Sequence, residues 1–173
     1  MNIFACHESP FQAALALPDR HITKMTLESC QMLAVAFGQH GLGLGQLRKL
    51  DGSYYADTAF RNHPCAVWVR QSFANLAWLV VHARALSTEF LHRYGKLHGC
   101  HTAIGDAEHL YGMTHIGLGI YNHHTPFARA MPDYLKNDTS IDTVTAYRRY
   151  LVAHKPWASW DRIPSRKPAW WTS

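Results

Sequence analysis

Apolar residues along this chain recur with a helical period and seldom alternate. The clearest run is Phe73, Leu76, Ala77, Val80 and Val81, continued by Ala85, Leu86 and Leu91. Spacings of three and four put these on one stripe of a helix. The pattern predicts a helix over 73–93, with Arg93 complementing the dipole and Gly95 closing the end. Pro64 opens a preceding helical stretch through Gln71, which continues or restarts at Ser72. Ser9 and Pro10 suit the start of a short helix reaching Leu17, broken by Pro18 and Asp19. A longer helix follows to about Phe37. Further helices are expected over 102–111 and, capped by Asp142, over 143–154, with a short helical turn at 126–130. Glycines at 41, 43 and 45, the stretch 52–62 and the stretch 112–119 read as loops. Met1 to Phe4 reads as a short β-segment or extended arm. Strand signals are thin, and neither a repeat nor a domain linker stands out. The expected fold is all-α, a single-domain helical bundle over 1–173. It has a short extended N-terminal segment and an aromatic, basic tail from about 156.

The helix after Asp19 has two opposed faces. Ile22, Leu33 and Phe37 share one side with Thr26 and Cys30, while His21, Lys24, Glu28 and Gln31 share the other. A plain solvent face would carry several lysines and glutamates. Here one base, one acid, an imidazole and an amide stand together, a set suited to proton transfer. A simple surface ion pair between Lys24 and Glu28 is the competing reading, although Lys ahead of Glu is the weaker helical order. The stripe predicts that His21, Lys24 and Glu28 line one cleft with Glu28 at least partly buried.

Charge sharpens the picture. The net charge is +5, and from Thr143 onward six Lys or Arg face a single acid, Asp161. Tyr147, Tyr150, Trp157, Trp160, Trp170 and Trp171 are interleaved with them. Basic groups neutralise phosphates and aromatic faces stack on unpaired bases, so Arg148, Arg149, Trp157 and Trp160 become candidate nucleic-acid contacts. The competing reading makes the aromatics core anchors. Arg61, His63 and Arg70 flank the start of the helix at Pro64, a place suited to a phosphate, unless His63 merely caps it. Arg93 and Lys96 cluster with His92 and His98 at another helix end. Cys6, Cys30, Cys65 and Cys100 form no Cys-x-x-Cys pair and are expected to be reduced. Thirteen histidines include the group His98, Cys100 and His101, but no established metal spacing. No metal or other cofactor is expected. No apolar run approaches the ~20 residues of a membrane span, and the start lacks a basic signal region. A cytoplasmic protein is expected, in the host cell if phage-encoded.

Several motifs carry a resemblance. Met1-Asn2-Ile3-Phe4, Asp19-x-His21-x-x-Lys24-Met25-x-Leu27-Glu28-x-x-Gln31, Asn62-His63-Pro64 and Arg93-Tyr94-Gly95-Lys96-x-His98 resemble a group of small tailed-phage proteins. So do Pro126-Phe127-Ala128-x-Ala130-Met131-Pro132-Asp133 and Ala146-Tyr147-Arg148-x-Tyr150. The opening segment is also similar to the phage pyrimidine-dimer DNA glycosylase family of endonuclease V type. That family has Asp-x-His on its first long helix and a catalytic Glu seven residues after the His, a spacing met here by Asp19, His21 and Glu28. The resemblance implies a small all-α DNA-acting enzyme in which an amine attacks the sugar C1′ and a carboxylate, here Glu28, assists. Family members use an N-terminal amine exposed by removal of the initiator Met ahead of a small residue. Here residue 2 is Asn, so Met1 is expected to stay, and either the amine is that of Met1, or it is that of Lys24, or there is no lyase chemistry.

The expected function is excision of a damaged or modified base by flipping it from DNA, duplex or locally unpaired. Glu28, His21, Lys24 and Met1 are the catalytic candidates. The alternatives are a phage transferase that modifies bases or nucleotides, and a non-enzymatic binder of nucleic acid or a host protein.

Overall fold

A computed structural model describes residues 1–39, 47–114 and 123–172. Its helices are α1 (Pro10–Ala16), α2 (Asp19–Gln39), α3 (Pro64–Gln71), α4 (Phe73–Tyr94), α5 (His101–Thr114), α6 (Asp133–Lys136) and α7 (Thr143–His154), with a 3-10 turn at Pro164–Arg166. The described residues contain no strand, only one isolated bridge between Arg48 and Tyr54. The architecture is all-α. The glycines at 41, 43 and 45 and most of the predicted 112–119 loop lie outside the described residues. Gly112 itself continues α5.

The long helices α2 and α4 form the centre, packed on each other and flanked by α1, α3 and α5. Ser72 separates α3 from α4: its backbone is extended, and its side chain accepts a hydrogen bond from the Asn75 N–H. Gly95 closes α4 in the left-handed conformation, φ 67°, its N–H donating to the Leu91 carbonyl. Gly38 is required for another reason, since a Cβ there would meet Asp57 Cβ at 2.4 Å. The core gathers Ile22, Leu33, Phe37, Trp68, Leu76, Leu79 and Leu86. Helix α2 is buried around most of its circumference, including His21 and Glu28. Its exposed stripe is narrow: Arg20, Thr23, Lys24 and Leu27. His21 and Glu28 are covered by the two ends of the chain.

Of the two expectations for the N-terminus, the structure has the arm: residues 1–6 have no strand partner. Asn2 Oδ1 accepts from the N–H groups of Ile3 and Phe4, holding Phe4 at φ 39°. The Arg148 guanidinium donates to the Cys6 carbonyl. Residues 126–130 form no helical turn, because side chains take their backbone groups. Asn2 Nδ2 donates to the Ala130 carbonyl at 2.7 Å, and the Tyr147 hydroxyl donates to the Ala128 carbonyl at 2.7 Å. The aromatic tail folds back on the bundle: the Asp19 N–H donates to the Ser159 carbonyl, and Trp160 and Trp171 are buried edge to face.

His82 supplies a pH test of this core. Its Nδ1 sits 2.8 Å from the Pro10 carbonyl, its ring stacks on Trp78, and its Nε2 is buried with no partner. Burial holds its pKa down to about 4, from an ordinary 6.5. The unfolded chain binds the extra proton first as pH falls, so this stability is complete above about 6.5 and is lost as pH drops through the folded value. His82 should cost about 2 kcal/mol between pH 7 and pH 5. Urea unfolding at both pH values checks this, and His82→Phe should lessen the acid loss by that amount.

Candidate active site

The N-terminal arm, α2, Ala130, and α7 with the residues just after it converge on a cleft of about 390 Å³. Met1, Phe4, His21, Lys24, Glu28, Tyr150, Lys155 and Trp157 are among its lining residues. The Met1 α-amine lies 3.6 Å from Glu28 Oε2, and Lys24 Nζ lies 3.6 Å from Glu28 Oε1. The Glu28 side chain is only 11 % exposed, whereas that of Lys24 is 72 % exposed. Glu28 Oε2 is buried and accepts no hydrogen bond, so one carboxylate oxygen is directed at the amine without being engaged elsewhere. The four catalytic candidates thus share one cleft.

His21 offers something other than charge. Its ring lies parallel to Trp157 at 5.1 Å and meets the edge of Phe4 at 4.8 Å. Burial, followed by the nearby cations Lys155 and Lys24, lowers its pKa to about 4. The imidazole is neutral at pH 7 and supplies flat surface. Trp157 is 43 % exposed and lies beneath Arg20 and Lys155, while Lys155 also lies over Tyr150. Phe4 and Tyr150 are nearly coplanar in direction, with centroids 5.9 Å apart. The cleft therefore joins an aromatic wall, a cationic rim and an amine–carboxylate pair.

His63 caps α3 as the plainer reading proposed, its Nδ1 accepting the Cys65 N–H at 3.2 Å. It is also near the amine: burial lowers its pKa most, the Met1 charge lowers it further, and Glu28 opposes them. Arg61, Lys96 and Arg149 are exposed. Arg70 is partly buried, with Nη1 unpartnered.

Two candidates are displaced from the nucleic-acid role. The Arg93 side chain is fully buried, donating to Glu89, Asp19 and the carbonyls of Leu15 and Leu17. A guanidinium committed to two carboxylates and a helix end holds no external phosphate. Trp160 belongs to the core against Trp171. Arg148 is partly committed as well, bonded to Cys6 and stacked over Trp170.

The sequence pattern does not mark Asn2, Phe4, Arg20, Tyr150 or Lys155 as site residues, yet all five line the cleft. An available signal was the cation–aromatic spacing Tyr150, Lys155, Trp157, which places basic and flat groups together. Among the described residues, no group of three His, Cys, Asp or Glu is arranged to hold a metal, and no helix is long and apolar enough to cross a membrane.

The model of the pyrimidine dimer DNA glycosylase family matches residues 1–101. The chain belongs to that family. The match spans Met1, His21, Lys24, Glu28 and His63, while Tyr150, Lys155 and Trp157 lie beyond it. No curated protein and no solved structure matches the chain.

Proposed function

We propose that the protein is a base-excision DNA glycosylase with an associated lyase step, and that the Met1 α-amine is its nucleophile. The observation that carries this reading is the 3.6 Å approach of the Met1 amine to a buried, unengaged oxygen of Glu28. The amine attacks C1′ of the deoxyribose, the bond from C1′ to the base breaks with its electron pair leaving on the base, and Glu28 takes a proton from the attacking nitrogen and passes it to the departing base. Ring opening then moves the second nitrogen proton to O4′ and leaves an imine between Met1 and C1′. Lys24 sits on the other carboxylate oxygen and is mostly exposed. The substrate base turns out of the DNA against the wall of Phe4, His21, Tyr150 and Trp157.

Borohydride tests the assignment. Incubation with duplexes carrying pyrimidine dimers or other modified bases should give a reduced covalent adduct that peptide mapping places on Met1. Blocking the amine by acetylation, or extending the chain by one residue ahead of Met1, should remove the adduct. An adduct mapped to Lys24 would overturn the choice of amine. Base loss without any adduct would leave a glycosylase that lacks the lyase step. DNA that gains mass and loses no base would favour a transferase, and binding without either change would favour a non-enzymatic binder.

The cationic rim should make binding depend on salt. Arg20, Lys155 and the exposed Arg61, Lys96 and Arg149 are the proposed phosphate contacts. Engagement of about four phosphates gives a log–log slope of about −3 to −4. Lys155→Gln should lower the magnitude of that slope by about one. Removing the whole segment after Pro156 is a poor test, because Trp160 and Trp171 would leave the core with it.

A further inference from the structure

The aromatic wall of the cleft does not stop at Tyr150. His154, one turn further along α7, has its ring centroid 5.2 Å from that of Tyr150. The ring of Tyr134, on α6, lies 6.0 Å from His154, and its hydroxyl meets His154 Nε2 at 2.7 Å. Successive rings are tilted by 49° and 36°, so they form a turning strip and not a closed stack. Its outer end is open: Tyr134 is 60 % exposed, and His154 is exposed as well. A four-residue helix such as α6 has no stability of its own. Arg129 braces it, donating to the carbonyls of Leu135, Asp138 and Ile141 and to the Thr143 hydroxyl at the start of α7. Leu135 is buried while its neighbour Tyr134 faces solvent. A tyrosine ring held out in this way suits a binding surface.

Cations accompany the strip. Lys155 Nζ lies 5.2 Å from the centre of the Tyr150 ring and 5.9 Å from that of Trp157, and the Arg20 guanidinium lies 5.4 Å from Trp157. Lys136 on α6 and Arg149 on α7 are exposed, and within these two helices the only acid is Asp133. Asp138 and Asp142, in the loop between them, accept from the N–H groups of Ser140 and Thr145.

We propose that the strip from Trp157 and Tyr150 out to His154 and Tyr134 binds the unpaired nucleotides beside the excised base, so that the protein takes an unpaired DNA strand in preference to an intact duplex. This rests on the reading that DNA occupies the catalytic cleft. Exposed rings gain by stacking only on bases whose faces are free. Within a duplex each base face is covered by the next pair, whereas an unpaired strand can lay successive bases on separate rings. The tilt from ring to ring suits a flexible strand and not a rigid column of pairs. The cations serve the phosphates of that strand and carry no preference for sequence.

The test titrates the full chain by fluorescence anisotropy against undamaged, dye-tagged probes of one sequence: a duplex, the same duplex with an unpaired bubble, and the single strand. The bubble and the single strand should bind about tenfold more tightly than the duplex. Tyr134 is exposed, so its substitution leaves the core intact. Tyr134→Ala should erase most of the preference for unpaired DNA. Tyr134→Phe keeps the ring and gives up only the bond to His154, and it should retain the preference. Equal affinity for all probes, a preference that Tyr134→Ala leaves intact, or one lost equally in both variants would overturn the proposal. Undamaged probes undergo no excision, so the outcome is separable from the glycosylase test. Base release without a preference for unpaired DNA would sink the strip alone. A preference that depends on the Tyr134 ring, without base release from any lesion, would support the strip and sink the excision reading.

Discussion

Glu28→Gln should lower the rate of base excision about 10³-fold while leaving DNA affinity within about threefold. The amide keeps the shape of the side chain and its place on α2 but cannot take the proton from the attacking nitrogen, a role typically worth 10²–10⁴ in rate. It also removes the charge that faces both Met1 and Lys24. Single-turnover release of free base, read by mass spectrometry beside a binding titration, separates the two effects. A loss of affinity that matches the loss of rate would show that Glu28 serves binding and not chemistry. An unchanged rate would remove the carboxylate from the proposed mechanism altogether. Glu28→Asp offers a graded control, since it retains the acid but withdraws it by one methylene from the amine.

The largest stability effect is expected at Arg93. Arg93→Met should destabilise the fold by about 3–5 kcal/mol, because it strands buried carboxylates that nothing else fully neutralises. Glu89 retains Arg166, whose Nε lies 3.0 Å from it, but Asp19 is left with the Arg162 N–H. The freed carbonyls of Leu15 and Leu17 add to the cost. Arg166→Gln should cost far less, since that guanidinium is partly exposed and Glu89 keeps Arg93. Denaturant unfolding of the two variants measures the difference. Near-equal losses would mean that the tail, and not the buried arginine, secures this ionic cluster.

Local chemistry made much of the fold legible. The apolar stripe of α4, the Ser72 and Asp142 caps and the left-handed Gly95 each act within a few residues, so their signals sit together in the chain. The polar stripe of α2 was legible too, because a helix carries His21, Lys24 and Glu28 to one side. What covers that stripe was not. Residues 126–130 resemble a helical turn until Asn2 and Tyr147, distant in sequence, take their carbonyls. Arg93 reads as a cation at a helix end, and only the packing of α1 and α2 against α4 reveals that it is enclosed by acids. Trp157 and Trp160 are three residues apart in one basic aromatic segment, yet one is a platform beside the site and the other is core. Composition cannot separate them, because the difference lies in which ring meets Trp171 and which meets His21.

The bond from Asn2 to Ala130 spans 128 positions, and that from Arg148 to Cys6 spans 142. Both clasp the segment that carries the amine. Helical proteins usually assemble through near neighbours and fold fast, whereas contacts this remote delay closure of a loop. The bundle of α1 to α4 can therefore consolidate while its first residues still swing free. The cleft around Met1 would be the last part of the molecule to close, once residues 130 and 148 arrive. During synthesis the growing chain would carry a largely built scaffold whose N-terminal amine is not yet held beside Glu28.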